Sequence, residues 1–134
     1  MKRFFLLTLA SAALLGASAA PVKTYEVKSP DGRLALVLTA GERLSFTVAR
    51  DGETLVAPSE MALTLSTGEV LGESPRVRSA RRRAVTETID APLYRQSRFD
   101  AAYNELDLRL RGDYGVLARA YDDGVCYRFY TERD

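Results

Sequence analysis

Glu105 and Asp107 stand two residues apart in the run Tyr103 to Arg111, YNELDLRLR. Two carboxyl groups about 5 to 10 Å apart can share the acid and base, or acid and nucleophile, steps that break a glycosidic bond. Alternate residues of a strand share a face with Cα atoms roughly 7 Å apart, so the spacing admits that chemistry. The orientation argues against it. Such side chains point in parallel and do not flank a bond held between them. Arg109 and Arg111 continue the same row, and alternating charges along one strand face are the pattern of a solvated sheet surface. No catalytic residue is assigned.

The other polar groupings have plainer readings beside their chemical ones. Asp122-Asp123-Gly124 could join a calcium loop, but such sites draw six or more oxygens from several positions. No second acidic cluster lies near it in sequence. A hairpin turn with glycine at positive φ accounts for it. Arg76, Arg78, Arg81, Arg82 and Arg83 form the strongest basic cluster. A phosphate or acidic glycan is the chemical reading; a solvated strand or a contact with another domain is the plainer one. Cys126 is the one cysteine and histidine is absent. This leaves no internal disulfide, no Ser-His-Asp triad and no histidine-based zinc site. Cys126 could be a reactive thiol or a link to another chain; the plainer reading is a small apolar residue buried in a strand. Seven tyrosines could stack on sugar rings, but tyrosine is common in strands and tryptophan is absent.

These residues must be positioned by a single domain, since the chain has 134 residues. Residues 1–19 read as a cleaved secretory signal peptide: Lys2 and Arg3, an apolar run from Phe4 to Leu15, then the small-x-small site Ala17-Ser18-Ala19. The run is too short for a membrane span, and the location implied is periplasmic or secreted. Without Lys2 and Arg3 the chain holds 17 basic and 18 acidic residues. That near-neutral balance argues against nucleic acid as a partner, whose binding rests on positive charge.

The mature region, residues 20–134, reads as β throughout. Apolar residues alternate at Leu34, Leu36 and Leu38, at Leu44, Phe46 and Val48, at Met61, Leu63 and Leu65, at Leu106, Leu108 and Leu110, at Val116, Ala118 and Ala120, and at Val125, Tyr127 and Phe129. Turn residues separate them at intervals of about ten. Ser29-Pro30-Asp31-Gly32 reads as a β-turn and Asp51-Gly52 as a two-residue hairpin turn. Pro58 is expected to end the strand starting at Thr54, because it cannot donate to a ladder. Residues 77–88 suggest one or two exposed strands with an irregular middle, 89–92 a break, and 93–99 a short polar strand. About nine strands joined by short turns should pair antiparallel and form a β-sandwich, or half of one.

Two segments carry more than strand physics requires: Tyr103-Asn104-Glu105-Leu106, and Arg119-Ala120-Tyr121-Asp122-Asp123-Gly124-Val125. With the turn at residues 29–32, the Asp51-Gly52 hairpin and the approach Ala91-Pro92-Leu93-Tyr94, the mature chain resembles the N-terminal β-domain of glycoside hydrolase family 97. That family comprises periplasmic α-glucosidases and α-galactosidases. Arg95-Gln96 and Cys126 depart from its pattern, which leaves the sugar open. The resemblance implies the first part of a β-supersandwich that packs on a (β/α)8 barrel and helps shape a cleft for oligosaccharide. The barrel would carry the catalytic carboxylates and most ligands of any calcium in the complete enzyme; none maps onto this chain. Tyr103, Asn104, Glu105, Arg119, Asp122, Asp123 and Gly124 are then expected to hold architecture or a domain interface, with Arg119 bridging to a turn carboxylate. A free-standing periplasmic β-sandwich that binds a glycan or a protein is the alternative.

Overall fold

The computed structural model describes residues 21–133 apart from Tyr94 and Gln96. The expected signal peptide, and those two positions of the segment leading to Tyr103, lie outside the described residues. Ten strands form: β1 (Lys23–Lys28), β2 (Leu34–Ala40), β3 (Leu44–Arg50), β4 (Glu53–Glu60), β5 (Leu63–Thr64), β6 (Val70–Leu71), β7 (Val77–Asp90), β8 (Arg98–Leu110), β9 (Tyr114–Ala120) and β10 (Val125–Thr131). No described residue is helical.

Strands β1 to β4 form one antiparallel sheet in chain order, and β7 to β10 form a second. The sheets stack with β1 and β2 over β8 and β9. This is an antiparallel β-sandwich. The period-2 pattern places the core as expected. Leu36, Leu38 and Leu44 of the first sheet meet Leu106, Leu108, Val116 and Ala118 of the second, all nearly inaccessible to solvent. At the edge of this core the rings of Phe46 and Tyr127 meet across the sheets with centroids 5.2 Å apart.

The turns follow their sequences. Asp51 and Gly52 both take positive φ, 52° and 86°, the geometry that matches a two-residue loop to strand twist. The Gly32 N–H donates to the Ser29 carbonyl at 2.9 Å and closes the first turn. The small β5–β6 hairpin covers one end of the sandwich. Its exit uses Gly72 at φ 101°, where a Cβ would overlap the Met61 carbonyl oxygen.

Three expectations are corrected. Pro58 does not end β4, which continues to Glu60. β4 is an edge strand, and the register slips between Phe46 and Val48 where Pro58 passes; proline is tolerated at such positions. The alternating run from Met61 to Ser66 forms only the two-residue β5. Residues 77–90 form one continuous strand, and residues 98–103 belong to β8. β7 is an edge strand that offers the core little more than Val77 and Ala80. Its apolar signal is therefore thin, and thirteen paired positions on β8 hold it instead.

β9 pairs with β8 only from Asn104 onward. Residues 98–103 and their partners on β7 consequently run past the sandwich as a two-stranded ribbon. Six residues at strand rise make this arm roughly 20 Å long. Ile89 and Phe99 sit opposite each other on it and are exposed, and Leu93 at its tip is 96% exposed.

Candidate functional site

The register places Arg83 of β7, Glu105 of β8 and Arg119 of β9 in one row across the second sheet, on the face away from the core. The Arg83 Nε–H donates to Glu105 Oε1 at 2.5 Å, and the Arg119 Nε–H donates to Glu105 Oε2 at 2.7 Å. Glu105 is 2% exposed. The expectation that it belongs to a solvated surface is thus corrected: the two arginines and their neighbours shut water out. Tyr103, one step along the same face, is also buried. Its ring lies 4.5 Å from the Arg119 guanidinium carbon and 4.9 Å from the Tyr121 ring. Its hydroxyl donates to Glu87 Oε1 at 2.9 Å. A guanidinium held between a carboxylate and an aromatic face is a favourable, water-excluding arrangement. Arg119 therefore bridges to a strand carboxylate and not, as expected, to a turn.

The electrostatics follow from this enclosure. Burial alone pushes the Glu105 carboxyl up, but the bonds and charges of Arg83 and Arg119 outweigh it and hold the group below the ordinary glutamate value of 4.5. Burial opposes the charge of Arg119, and Glu105 and Tyr121 more than restore it. Desolvation first, and then the bond to Glu87, raise the Tyr103 phenol.

Asp107 is equally committed. The Tyr130 hydroxyl donates to its Oδ1 at 2.5 Å, and Arg109 lies 3.4 Å from Oδ2. To reach Asp107 the Tyr130 ring crosses β9 directly above Gly115, its register partner; a Cβ at Gly115 would overlap that ring. Burial, followed by the bond to Asp107, pushes the Tyr130 phenol up to about 12. Both carboxylates of the spacing that could serve glycoside cleavage are thus ion-paired or hydrogen-bonded within the sheet.

Asn104 and Asp122 of the two signatures, with Arg82 of β7, tie the sheets together. The Asn104 side-chain amide donates to the Lys28 carbonyl at 2.9 Å, and Arg82 Nε–H donates to the Glu26 carbonyl at 2.9 Å. These two side chains occupy outward carbonyls on the free edge of β1. Asp122 Oδ1 accepts the Asp31 N–H at 2.9 Å, so the turn after β9 grips the turn after β1. Ser29, buried beneath, donates to Asp31 and accepts the Leu34 N–H at 2.9 Å. Asp123 is exposed and has no side-chain partner among the described residues. Gly124 closes the hairpin by accepting the Tyr121 N–H at 2.8 Å, at a φ outside the positive range; the expected positive φ is corrected. Cys126 is exposed on the outer face of β10, not buried. Among the described residues no group of three His, Cys, Asp or Glu side chains converges to hold a metal ion, and no helix is long and apolar enough to cross a membrane.

The sequence reading placed Arg83 in a basic cluster without its partner Glu105, and it missed Tyr130 and Gly115. Arg81 and Arg83 alternate on β7 as Asp107 and Glu105 do on β8, and that complementarity was the available signal. It acquires meaning only once the register is known.

The fold and its outer-face lock define an antiparallel β-sandwich domain whose two closely spaced carboxylates are held by neighbouring side chains. Residues 27–133 match the family Glycosyl-hydrolase 97 N-terminal, and the chain belongs to it. It is 38% identical over 110 residues to a retaining alpha-galactosidase of Bacteroides thetaiotaomicron, a match covering 82% of this chain and 17% of that protein. Among solved structures it is similar to a glycoside hydrolase family 97 enzyme in complex with acarbose from Pseudoalteromonas sp. strain K8. There the TM-score is 0.71 at 17% identity, over 82% of this chain and 18% of that one. It is also similar to a beta-arabinopyranosidase, with a TM-score of 0.73 at 20% identity and the same two coverages. The chain spans less than a fifth of the length of these relatives.

Proposed function

We propose that this domain is the N-terminal, non-catalytic part of a secreted or periplasmic α-glycosidase of the α-glucosidase or α-galactosidase type. It packs on a catalytic (β/α)8 barrel and helps shape the oligosaccharide cleft. The carrying observation is the 38% identity to a retaining alpha-galactosidase of which this chain matches only 17%. The geometry agrees, because Glu105 and Asp107 are spent on structure. The acid, the nucleophile or base, and the ligands of any calcium then belong to the barrel.

The arm supplies the docking surface in this reading. Two-stranded ribbons are marginal in water on their own, and this one exposes Ile89, Leu93 and Phe99. A neighbouring domain that covers this face would stabilise both. Tyr103, Glu105 and Arg119 stiffen the base of the arm; Asn104 and Asp122 fix its sheet to the other.

The test is the reading frame beyond residue 134 and the activity of its product. A barrel-coding continuation whose product cleaves aryl α-galactosides or α-glucosides, while residues 20–134 alone do not, is the expected result. A stop codon directly after residue 134, or hydrolysis by residues 20–134 alone, would overturn the reading.

A further inference from the structure

At the end of the sandwich opposite the arm, β1 begins beside the end of β2, with Lys23 opposite Ala40, and β7 begins beside the end of β8, with Val77 opposite Leu110. A cavity of about 390 Å³ opens there between the two sheets, lined by Lys23, Arg76 and Arg111 together with Pro21, Gly41 and Pro75 among others. The Arg111 N–H donates to the Arg76 carbonyl at 2.8 Å, which fixes these two residues side by side on adjoining strand ends. Pro75 and the neighbouring strand ends restrict the backbone around them.

Three cationic residues therefore border one hollow that no acidic residue lines. None of the three has an ion pair among the described residues, a state they share with Arg81, Arg82 and Arg128; what sets them apart is that they border one hollow. In a chain with nearly balanced charge, three cations around one hollow are a local excess. Like charges gathered in a hollow repel one another, and low-dielectric walls strengthen that repulsion. An anion seated among them reverses its sign. Arginine forks and an ammonium suit the oxygens of a compact oxyanion.

We propose that this cavity is a binding site for a compact oxyanion, a phosphate or carboxylate group carried by a small soluble ligand. The inference does not rest on the glycosidase reading, and its test is read by binding and not by hydrolysis. Failure of one is therefore distinguishable from failure of the other.

Isothermal titration of the full chain at low ionic strength with sodium phosphate, and separately with sodium glucuronate, tests it. Saturable heat is expected from one or both and should fall as salt is added. The double variant Arg76→Gln, Arg111→Gln should weaken binding by about tenfold or more, as expected for losing charge-assisted hydrogen bonds. Both residues are exposed, so circular dichroism should show the variant folded. Arg128→Gln, on exposed β10, should leave binding unchanged. Tighter binding of glucuronate would identify an acidic sugar as the ligand class, and tighter binding of phosphate a phosphorylated one. No saturable heat from either ligand, or equal affinity in the folded double variant, would overturn the proposal.

Discussion

Replacing Glu105 by Gln keeps the shape of the outer-face lock and removes the negative charge that Arg83 and Arg119 share. Glu105 is buried, and removing one partner of an enclosed pair leaves the other uncompensated. Arg83 is 66% exposed and can return to water, so the expected loss is modest, about 1–3 kcal/mol by urea denaturation. The pH dependence carries a sign. The folded carboxyl lies below its ordinary value of 4.5, so its contribution is present above the unfolded value and is lost as pH falls through the folded one. Wild-type stability should drop on acidification below about pH 4.5, and Glu105→Gln should flatten part of that drop. Identical acid slopes in the two proteins would count against the lock. At the turns the structure separates two adjacent aspartates. Asp122→Ala should lower stability by about 1 kcal/mol, the worth of one hydrogen bond, while Asp123→Ala should leave the melting temperature unchanged. Equal effects would contradict the assignment.

Gly115 and Tyr130 act at the level of paired strands. Gly115→Ala should displace the Tyr130 ring and cost about 1–3 kcal/mol, the usual penalty for overpacking. Tyr130→Phe removes one hydrogen bond to Asp107 and should cost about 1 kcal/mol. Because the two residues touch, the double variant should lose less than the sum; strict additivity in chemical denaturation would show that the ring is not held over the glycine. Ultraviolet titration should find one tyrosine ionising near 12 that disappears in Tyr130→Phe. The same elements show what was readable beforehand. Leu106, Leu108 and Leu110 announce their strand because each alternate residue enters the core, and Asp51-Gly52 announces its turn because few other pairs accept positive φ twice. β7 hid for the opposite reason. Its partners lie along an edge, and its arginines find their meaning on β8, about twenty positions away in sequence. Glu105 looked solvated because its own strand shows only alternation; the burial comes from β7 and β9. Cys126 looked buried by its residue type, while its place in the strand pattern, out of phase with Val125, Tyr127 and Phe129, puts it outside.

For the whole molecule, the arm with Ile89, Leu93 and Phe99 and the exposed Cys126 set how an isolated domain should behave. Purified residues 20–134 should bind a hydrophobic dye and run larger than a monomer, and non-reducing electrophoresis should show a covalent dimer that Cys126→Ser abolishes. Phe99→Ser should weaken dye binding, and a longer chain that covers the arm should remove it. A dye-silent, sharply melting monomer would remove the support for an arm that docks. The topology bears on time as well as on space. Each sheet is a meander of hairpins between chain neighbours, so each can pair locally and fast; only the stacking of one sheet on the other needs distant segments to meet. On a ribosome, β1 to β4 emerge first. Until β7 and β8 follow, Leu36 and Leu38 have no opposing layer, and the β1 carbonyls at Glu26 and Lys28 have neither Arg82 nor Asn104 to occupy them. During that interval the nascent chain presents an apolar sheet with an open rim. A chaperone that holds polypeptides extended should bind chains stalled near residue 60 more tightly than chains stalled after residue 120.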